Sequence, residues 1–172
     1  MHQLEIVQLL LERGADPNIV ANSDDGNTLL HDECGRGGLE VIRMLLDAGA
    51  DTEAKDTTTG AAALHSALSD KETAFATIEL LLGRGMDIDI QDSEGHTILH
   101  LACHGDGRRM DIAQLLLDRG ANIEAKTVSG ATPLHMSSSG DMARFLLNRG
   151  AHLEAPFING CTQLSLYSLL QG

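Results

Sequence analysis

Large rings are what this chain has least of. Its 172 residues include no Trp, one Tyr and three Phe, an aromatic share of 2%. A ring buries a large area, so a core without rings has to be filled by Leu, Ile, Val, Met and Ala, which suits thin layers of small helices. Cysteine is also sparse. Cys34, Cys103 and Cys161 are odd in number and unrelated in spacing. That argues against a disulfide framework and for a reducing, intracellular compartment, cytoplasmic or nuclear. No run of 18 apolar residues occurs, so nothing reads as a membrane span. The N-terminus opens directly on an amphipathic helix pattern (Leu4, Ile6, Val7, Leu9, Leu10, Leu11), with no basic segment, apolar stretch and small-residue cleavage site of a secretory signal. Basic residues are outnumbered, 12 against 25 acidic, for a net charge of −13. That field repels a phosphate backbone and no basic stripe offsets it, so nucleic acid is excluded as a partner. The length fits one domain.

What is present is a period. Gly-x-x-x-Leu-His occurs at Gly26–His31, Gly60–His65, Gly95–His100 and Gly130–His135, and Gly160–Ser165 is a fifth copy without its His. The His residues step by 34, 35 and 35. An apolar cluster ending in Gly runs in phase, at Gly14, Gly49, Gly85, Gly120 and Gly150, and Ala-Asp follows the first two. Two unrelated phrases on one period define a repeat array, in which each unit is one supersecondary element stacked on its neighbours.

The copy from Gly95 to Asn122 shows the unit. Asp92-Ser93-Glu94-Gly95 is a turn with Gly where φ can be positive. Thr97 is placed to cap a short helix through its hydroxyl. Ile98, Leu99, Leu101, Ala102 and Cys103 are that helix's apolar contacts. A second helix runs from about Arg109 to Asp118 with a broad apolar face from Met110 to Leu117. Gly120 is the left-handed residue past its end. Arg119, like Arg13, Arg84 and Arg149, sits where a cation meets the negative end of a helix dipole; an anion-binding stripe is the functional alternative. The unit is turn, helix, loop, helix, extended loop.

This pattern resembles the ankyrin repeat, whose period is about 33 residues and whose signature is Thr-Pro-Leu-His. Thr132-Pro133-Leu134-His135 matches outright; Thr28-Leu29-Leu30-His31 and Thr97-Ile98-Leu99-His100 match with an apolar residue in place of Pro. Gly14-Ala15-Asp16 and Gly49-Ala50-Asp51 match the family's closing word. The resemblance covers essentially the whole chain and implies an all-α solenoid of stacked helix-turn-helix units with β-turn or hairpin fingers. The phase divides residues 1–172 into a half repeat (1–21), repeats at 22–55, 56–90 and 91–125, a shortened repeat (126–155) and a half repeat (156–172). Because the chain starts and stops in mid-repeat, the expectation is a segment of a longer array or a short array with makeshift caps. The resemblance also implies that the imidazoles of His31, His65, His100 and His135 bond backbone groups at the turns and tie one unit to the next.

Functional information is expected where the words break. The finger from Val20 to Asp25 is longer than the others and acidic. Asp32-Glu33 follows the first His where the family has an apolar residue and Ala. A buried carboxylate there is costly unless paired, so Glu33 either faces the groove or meets Arg36. The loops Ser69–Thr73 and His104–Arg109 each gain two residues. The unit after His135 loses three, leaving Met136-Ser137-Ser138-Ser139-Gly140. Drift in exposed loops is the plain alternative for such indels.

Eight His invite a metal reading. His100 and His104 flank Cys103 at a spacing zinc could use, but beyond His96 no further ligands lie nearby in sequence, so no metal, cofactor or catalytic residue is assigned. No phosphate-binding Gly-rich loop or nucleophile elbow is present, and Ser137–Ser139 have no matched base. The resemblance implies a protein-interaction module and not an enzyme, with the partner in a concave groove of fingers and first helices. The finger candidates are Asp24, Asp25, Asn27, Thr57, Thr58, Ser93, Glu94, His96, Val128 and Ile158. The first-helix candidates are Asp32, Arg36, Ser66, Asp70, Leu101, His104 and Met136. Their net negative charge, with Leu101, Val128, Met136 and Ile158 as apolar spots, calls for a basic or mixed protein partner with an apolar anchor. Two alternatives stand: a small-ligand or enzymatic groove using Asp32, Glu33, His96 and His104, or an architectural segment of a larger protein.

Overall fold

The computed structural model describes residues 2–20, 24–104 and 109–153, with the side chains of His2 and Gln3 also outside the description. The last half repeat, with Ile158, Cys161 and Ser165, lies outside the described residues, as do 21–23 of the first finger and 105–108 of the second stretched loop. The chain divides into two compact units, Met1–Asp87 and Ile88–Gly172. Among the described residues both are all-α, built of paired helices joined by tight fingers.

The first unit holds α1 (His2–Glu12), α2 (Leu29–Arg36), α3 (Leu39–Asp47), α4 (Ala63–Ser66) and α5 (Ala74–Gly83). Short first helices pack on one another (α2 on α4) and longer second helices do the same (α1 on α3, α3 on α5), while α2 and α3 pair within their repeat. Leu30, Ile42, Leu45, Leu64, Ile78 and Leu81 are fully buried between these layers. The second unit repeats the plan with α6 (Ile98–Cys103), α7 (Met110–Asp118), α8 (Pro133–Met136) and α9 (Gly140–Asn148). There α6 packs on α7 and α8, and α8 on α9, around Ile98, Leu99, Leu116, Leu134, Met142 and Leu146. The residue at each of these places is aliphatic, as a ring-poor sequence requires.

The word Gly-Ala has a backbone cause. After α3, Gly49 takes φ 85°, its N–H meets Leu46 O at 3.1 Å, and the N–H of buried Ala50 reaches back to Leu45 O at 2.9 Å. This pair of bonds ends a helix by satisfying its last carbonyls, and it recurs with Gly120 and Ala121 on Leu117 and Leu116. Two of the four arginines that precede such glycines are seen to do more than face a helix end. Arg84 Nη1 lies 2.8 Å from Asp47 Oδ1, and Arg149 Nη1 2.8 Å from Asp118 Oδ1. Each guanidinium bonds the last residue of the preceding repeat's second helix.

The departures resolve into local chemistry. α4 stops at Ser66, and Asp70 accepts both the N–H and the hydroxyl of Thr73 in the loop that follows. A carboxylate offering the backbone this turn competes with continuing the helix. Asp70 is therefore a loop-closing residue and not a first-helix position. In the shortened repeat Ser137 Oγ donates to Leu134 O at 2.7 Å, and Ser139 caps α9 by accepting from Met142 N at 3.2 Å. α1 differs from its counterparts: Leu10 is 53% exposed where Leu45, Leu81, Leu116 and Leu146 are fully buried. Ile6, one turn earlier, is 57% exposed where Ile112 is 5%.

Candidate protein-binding surface

Among the described residues four fingers precede the first helices: the first, closed by Val20 and Thr28, and those at 55–62, 92–97 and 127–132. Val20 pairs with Thr28 and Lys55 with Ala62 as antiparallel bridges; Asp92 N–H to His96 O (3.0 Å) and Thr127 N–H to Ala131 O (2.9 Å) close the other two. In fingers 2, 3 and 4 the opener bends its own finger. Asp56 accepts from Thr58 N, Thr59 N, Thr59 Oγ1 and Ala61 N. Burial would raise its carboxyl, but the hydrogen bonds from Thr59, Thr58 and Ala61 outweigh this and hold it below the usual 3.8. Asp92 takes the amides of Glu94 and His96 at 2.9 and 2.8 Å. In finger 4 a hydroxyl replaces the carboxylate: Thr127 Oγ1 accepts from Ala131 N at 3.0 Å.

Successive fingers within a unit are joined by backbone. Thr57 N–H donates to Asp25 O, and Val128 N–H to Glu94 O, both at 2.8 Å. This close approach is a second reason for the finger glycines. A Cβ on Gly95, already at φ +82°, would stand 2.7 Å from Val128 N.

The repeated His is the other joint. Thr97 stands at the N-terminus of α6 with φ −91° and ψ 167°. Its hydroxyl meets His100 Nδ1 at 2.9 Å, and its N–H donates to the same Nδ1 at 3.1 Å, within a capping box that pairs Thr97 with His100. Nε2 lies 3.1 Å from Ala131 O. A carbonyl oxygen accepts, so Nε2 carries the proton and Nδ1 the lone pair: the ring is a neutral tautomer set by its partners. His31 repeats this geometry with Thr28 N (3.2 Å) and Ala61 O (3.2 Å). His65 Nδ1 and His135 Nδ1 take the amides of Ala62 and Thr132. The four imidazoles bond backbone at the turns, and His31 and His100 visibly tie one repeat to the next.

Two shallow concavities lie along the fingers. The first, about 390 Å³, is lined by Asp25, Asn27, Asp56, Thr58, His65 and Ser66 among others. The second, about 310 Å³, is lined by Ser93, Glu94, His96, Thr127, Val128 and Ser129. They gather eight of the candidate residues. Asp24 and Asp25 are exposed at the first fingertip, and Val128 is 73% exposed at the fourth. Among the described residues neither aspartate's carboxylate is engaged in a hydrogen bond or ion pair. Thr57 is exposed, but its hydroxyl donates to Asp24 O at 3.3 Å. Leu101 and Met136 are half-buried, and His104 is exposed at the end of α6.

Other candidates are committed elsewhere. Arg36 holds both Asp32 (3.9 Å) and Glu33 (3.7 Å). Glu33 is buried and fills the space that a side chain on Gly38 would need, so of its two expected places it takes the one beside Arg36. His96 is half-buried where it lines the second concavity, with Nδ1 3.2 Å from Asp92 Oδ2. Neither concavity holds two of Asp32, Glu33, His96 and His104. Burial pushes the Cys34 and Cys103 thiols up to about 12, far from thiolate chemistry. Among the described residues no three His, Cys, Asp or Glu gather as a metal site requires, and no helix is long and apolar enough to cross a membrane. Sequence reasoning missed Gln91, whose amide bridges Gly95 O and Lys126 O at 3.1 Å each. It also missed Asp56, although an acidic residue four before the finger glycine was a legible signal.

Helix pairs with finger turns and an inward imidazole define a stacked-repeat protein. Comparison with known families matches "Ankyrin repeats (3 copies)" over residues 1–76 and 69–156, and the chain belongs to the ankyrin repeat family. Such repeats form solenoids, generally serve as protein-interaction modules and are usually non-catalytic. Among curated proteins the chain is 37% identical over 98 residues to the E3 ubiquitin-protein ligase KEG of Arabidopsis thaliana, covering 57% of this chain and 6% of that protein. It is 39% identical over 101 residues to Protein PhlB of Serratia liquefaciens, covering 58% of this chain and 42% of that one. It is 36% identical over 93 residues to the human Ankyrin repeat and KH domain-containing protein 1, covering 54% and 4%. The chain thus spans less than half the length of each.

Proposed function

We propose that this chain binds a partner protein through its fingers and first helices, and that the partner is basic or mixed in charge with an apolar anchor. The observation that carries this is the contrast at the fingertips. The backbone of each tip is committed to its neighbour, while the carboxylates of Asp24 and Asp25 and the side chain of Val128 are left exposed. Exposed carboxylates steer a cationic partner and set its on-rate; an exposed aliphatic tip supplies the desolvated contact. In the first unit Ser66 extends the surface along a first helix and Thr58 lines its concavity; in the second, Leu101 and Met136 extend it and Ser93 and Glu94 line the concavity.

The test is affinity capture followed by binding measurements on two variants, the double charge reversal Asp24→Lys/Asp25→Lys and Val128→Asp. The expected result is a partner whose affinity falls about tenfold or more in one of them, with circular dichroism unchanged. Unaltered affinity for every captured partner in both variants would sink the reading. The exposed Ile6 and Leu10 of α1 favour a second reading, an architectural segment within a larger protein. It is preferred if no separate partner is retained.

A further inference from the structure

We infer that His96, His100 and Asp92 form a proton-operated latch between fingers 3 and 4, shut while His100 is neutral and opened by its second proton. The latch follows from which atoms can donate. His100 and Thr97 are fully buried. Nδ1 of the ring accepts the Thr97 N–H at 3.1 Å while Nε2–H donates to Ala131 O at 3.1 Å. A proton added to Nδ1 sets one N–H against another and leaves the Thr97 amide without an acceptor where water does not reach it. The loss falls at Thr97, the last residue of finger 3 and the cap of α6. That finger holds finger 4 through Glu94 O to Val128 N–H and through Gln91 to Lys126 O.

His96 sets the pH at which this happens. Its ring meets His100 edge-on, with centroids 6.1 Å apart. Its Nδ1 lies 3.2 Å from Asp92 Oδ2 and 3.9 Å from Glu94 Oε2, and a charge on it opposes one on His100. Burial pushes the His100 ring below its ordinary 6.5 and His96 adds to the lowering, while the bonds to Ala131 and Ala125 and the charge of Asp92 act the other way. On the side of finger 4, Thr127, Val128 and Ser129 bring no charge, and Lys126, whose carbonyl takes Gln91, is the cation. From the cap of α7 comes Arg109, whose guanidinium donates to Leu101 O at 3.2 Å; from α8 comes His135, whose Nδ1 is taken by Thr132. At the place four residues before the other three histidines stand Asn27, Ala61 and Ala131, so this second ring belongs to finger 3.

The test follows imidazole proton shifts by NMR, with amide hydrogen exchange at Thr97 and Val128 corrected for its intrinsic pH dependence, from about pH 8 to about pH 4. Exchange at both amides should accelerate as His100 titrates. In His96→Asn that midpoint should rise by on the order of 0.5 to 2 pH units, the span of a unit charge at this separation between a fully aqueous and a partly buried dielectric. His100→Gln keeps an acceptor oxygen and an N–H donor without an ionisation, and should exchange slowly with no step in that window. A His100 midpoint that stays put or falls in His96→Asn overturns the proposal. So does exchange at Thr97 that ignores the titration, or a ring that gains no second proton before unfolding in either protein.

Discussion

Fingers 1 and 2 and fingers 3 and 4 are the same joint built with different side chains. Both pairs use one backbone bond of 2.8 Å between tips and one imidazole from the first helix to the next finger's carbonyl. Around that shared frame, finger 2 is bent by the carboxylate of Asp56 and finger 4 by the hydroxyl of Thr127. The first pair presents Asp24 and Asp25, the second Val128 and the His96–Asp92 pair. The difference teaches that stacking is encoded in glycine, histidine and backbone, while tip chemistry is set separately for each finger.

The largest break in this comparison should come at the glycines. A methyl on Gly95 meets backbone, Val128 N at 2.7 Å and Thr127 Cα at 2.9 Å, whereas on Gly26 it meets the side chain of Thr57 at 2.6 Å. A backbone cannot rotate away and a threonine can. Gly95→Ala should cost about 3 kcal/mol in urea unfolding and Gly26→Ala about half that, both including the strain of positive φ. Equal costs would show that finger 3 yields as easily as finger 1.

Next in size are the finger openers. Asp56→Ala removes the acceptor of four hydrogen bonds and should cost about 2 kcal/mol; Thr127→Ala removes a weaker acceptor and should cost about 1. The two units should also differ in acid. The folded Asp56 carboxyl is depressed below 3.8, so its contribution is complete above that value and is lost as pH falls through the folded pKa. The folded His100 ring is depressed below 6.5. The unfolded state therefore takes up its proton first, and stability is lost as pH falls from 6.5 towards the folded value. Denaturation series across pH should show a first loss in mild acid that His100→Gln removes and a second in strong acid that Asp56→Asn removes.

A smaller effect, of opposite sign, sharpens the comparison among second helices. Thr77 is fully buried in α5 with no partner for its hydroxyl, at the place where α3 has Val41 and α7 has Ile112. Thr77→Val should stabilise by about 1 kcal/mol, raising the melting temperature by a few degrees. The smallest effects belong to the exposed arginines. Arg84→Ala and Arg149→Ala should each cost about 0.5 kcal/mol or less. The second should be the larger, because Arg149 also lies over the Phe145 ring at 4.9 Å.

The sequence made the repeat legible because its signals are local. A glycine past each second helix, the Leu-His word and the apolar clusters fall within one turn or helix of what they specify. Some readings that failed or stayed open needed a partner far along the chain, and others turned on a local contact that competes with the repeat pattern. Arg84 finds Asp47 and Arg149 finds Asp118, 37 and 31 residues away, which no local rule reports. The tight approach at Gly95 depends on the next finger. Asp70 was misplaced because the length of α4 turned on a competing turn at Thr73, and the burial of His96 on a contact with Asp92 that the pattern does not reveal. Of the candidate surface, the fingertips were readable because a turn exposes its tip; which carboxylates were already engaged was not.

The bare side of α1 has a consequence for how this chain behaves in a tube. Ile6, Leu9 and Leu10 stand half in water on a molecule carrying a net charge of −13. Mutual repulsion keeps such molecules apart at low ionic strength, and added salt shortens its reach from about 30 Å at 0.01 M to about 3 Å at 1 M. Dilute buffer should therefore be the better solvent, with light scattering rising as sodium chloride is added, and Leu10→Lys should flatten that rise.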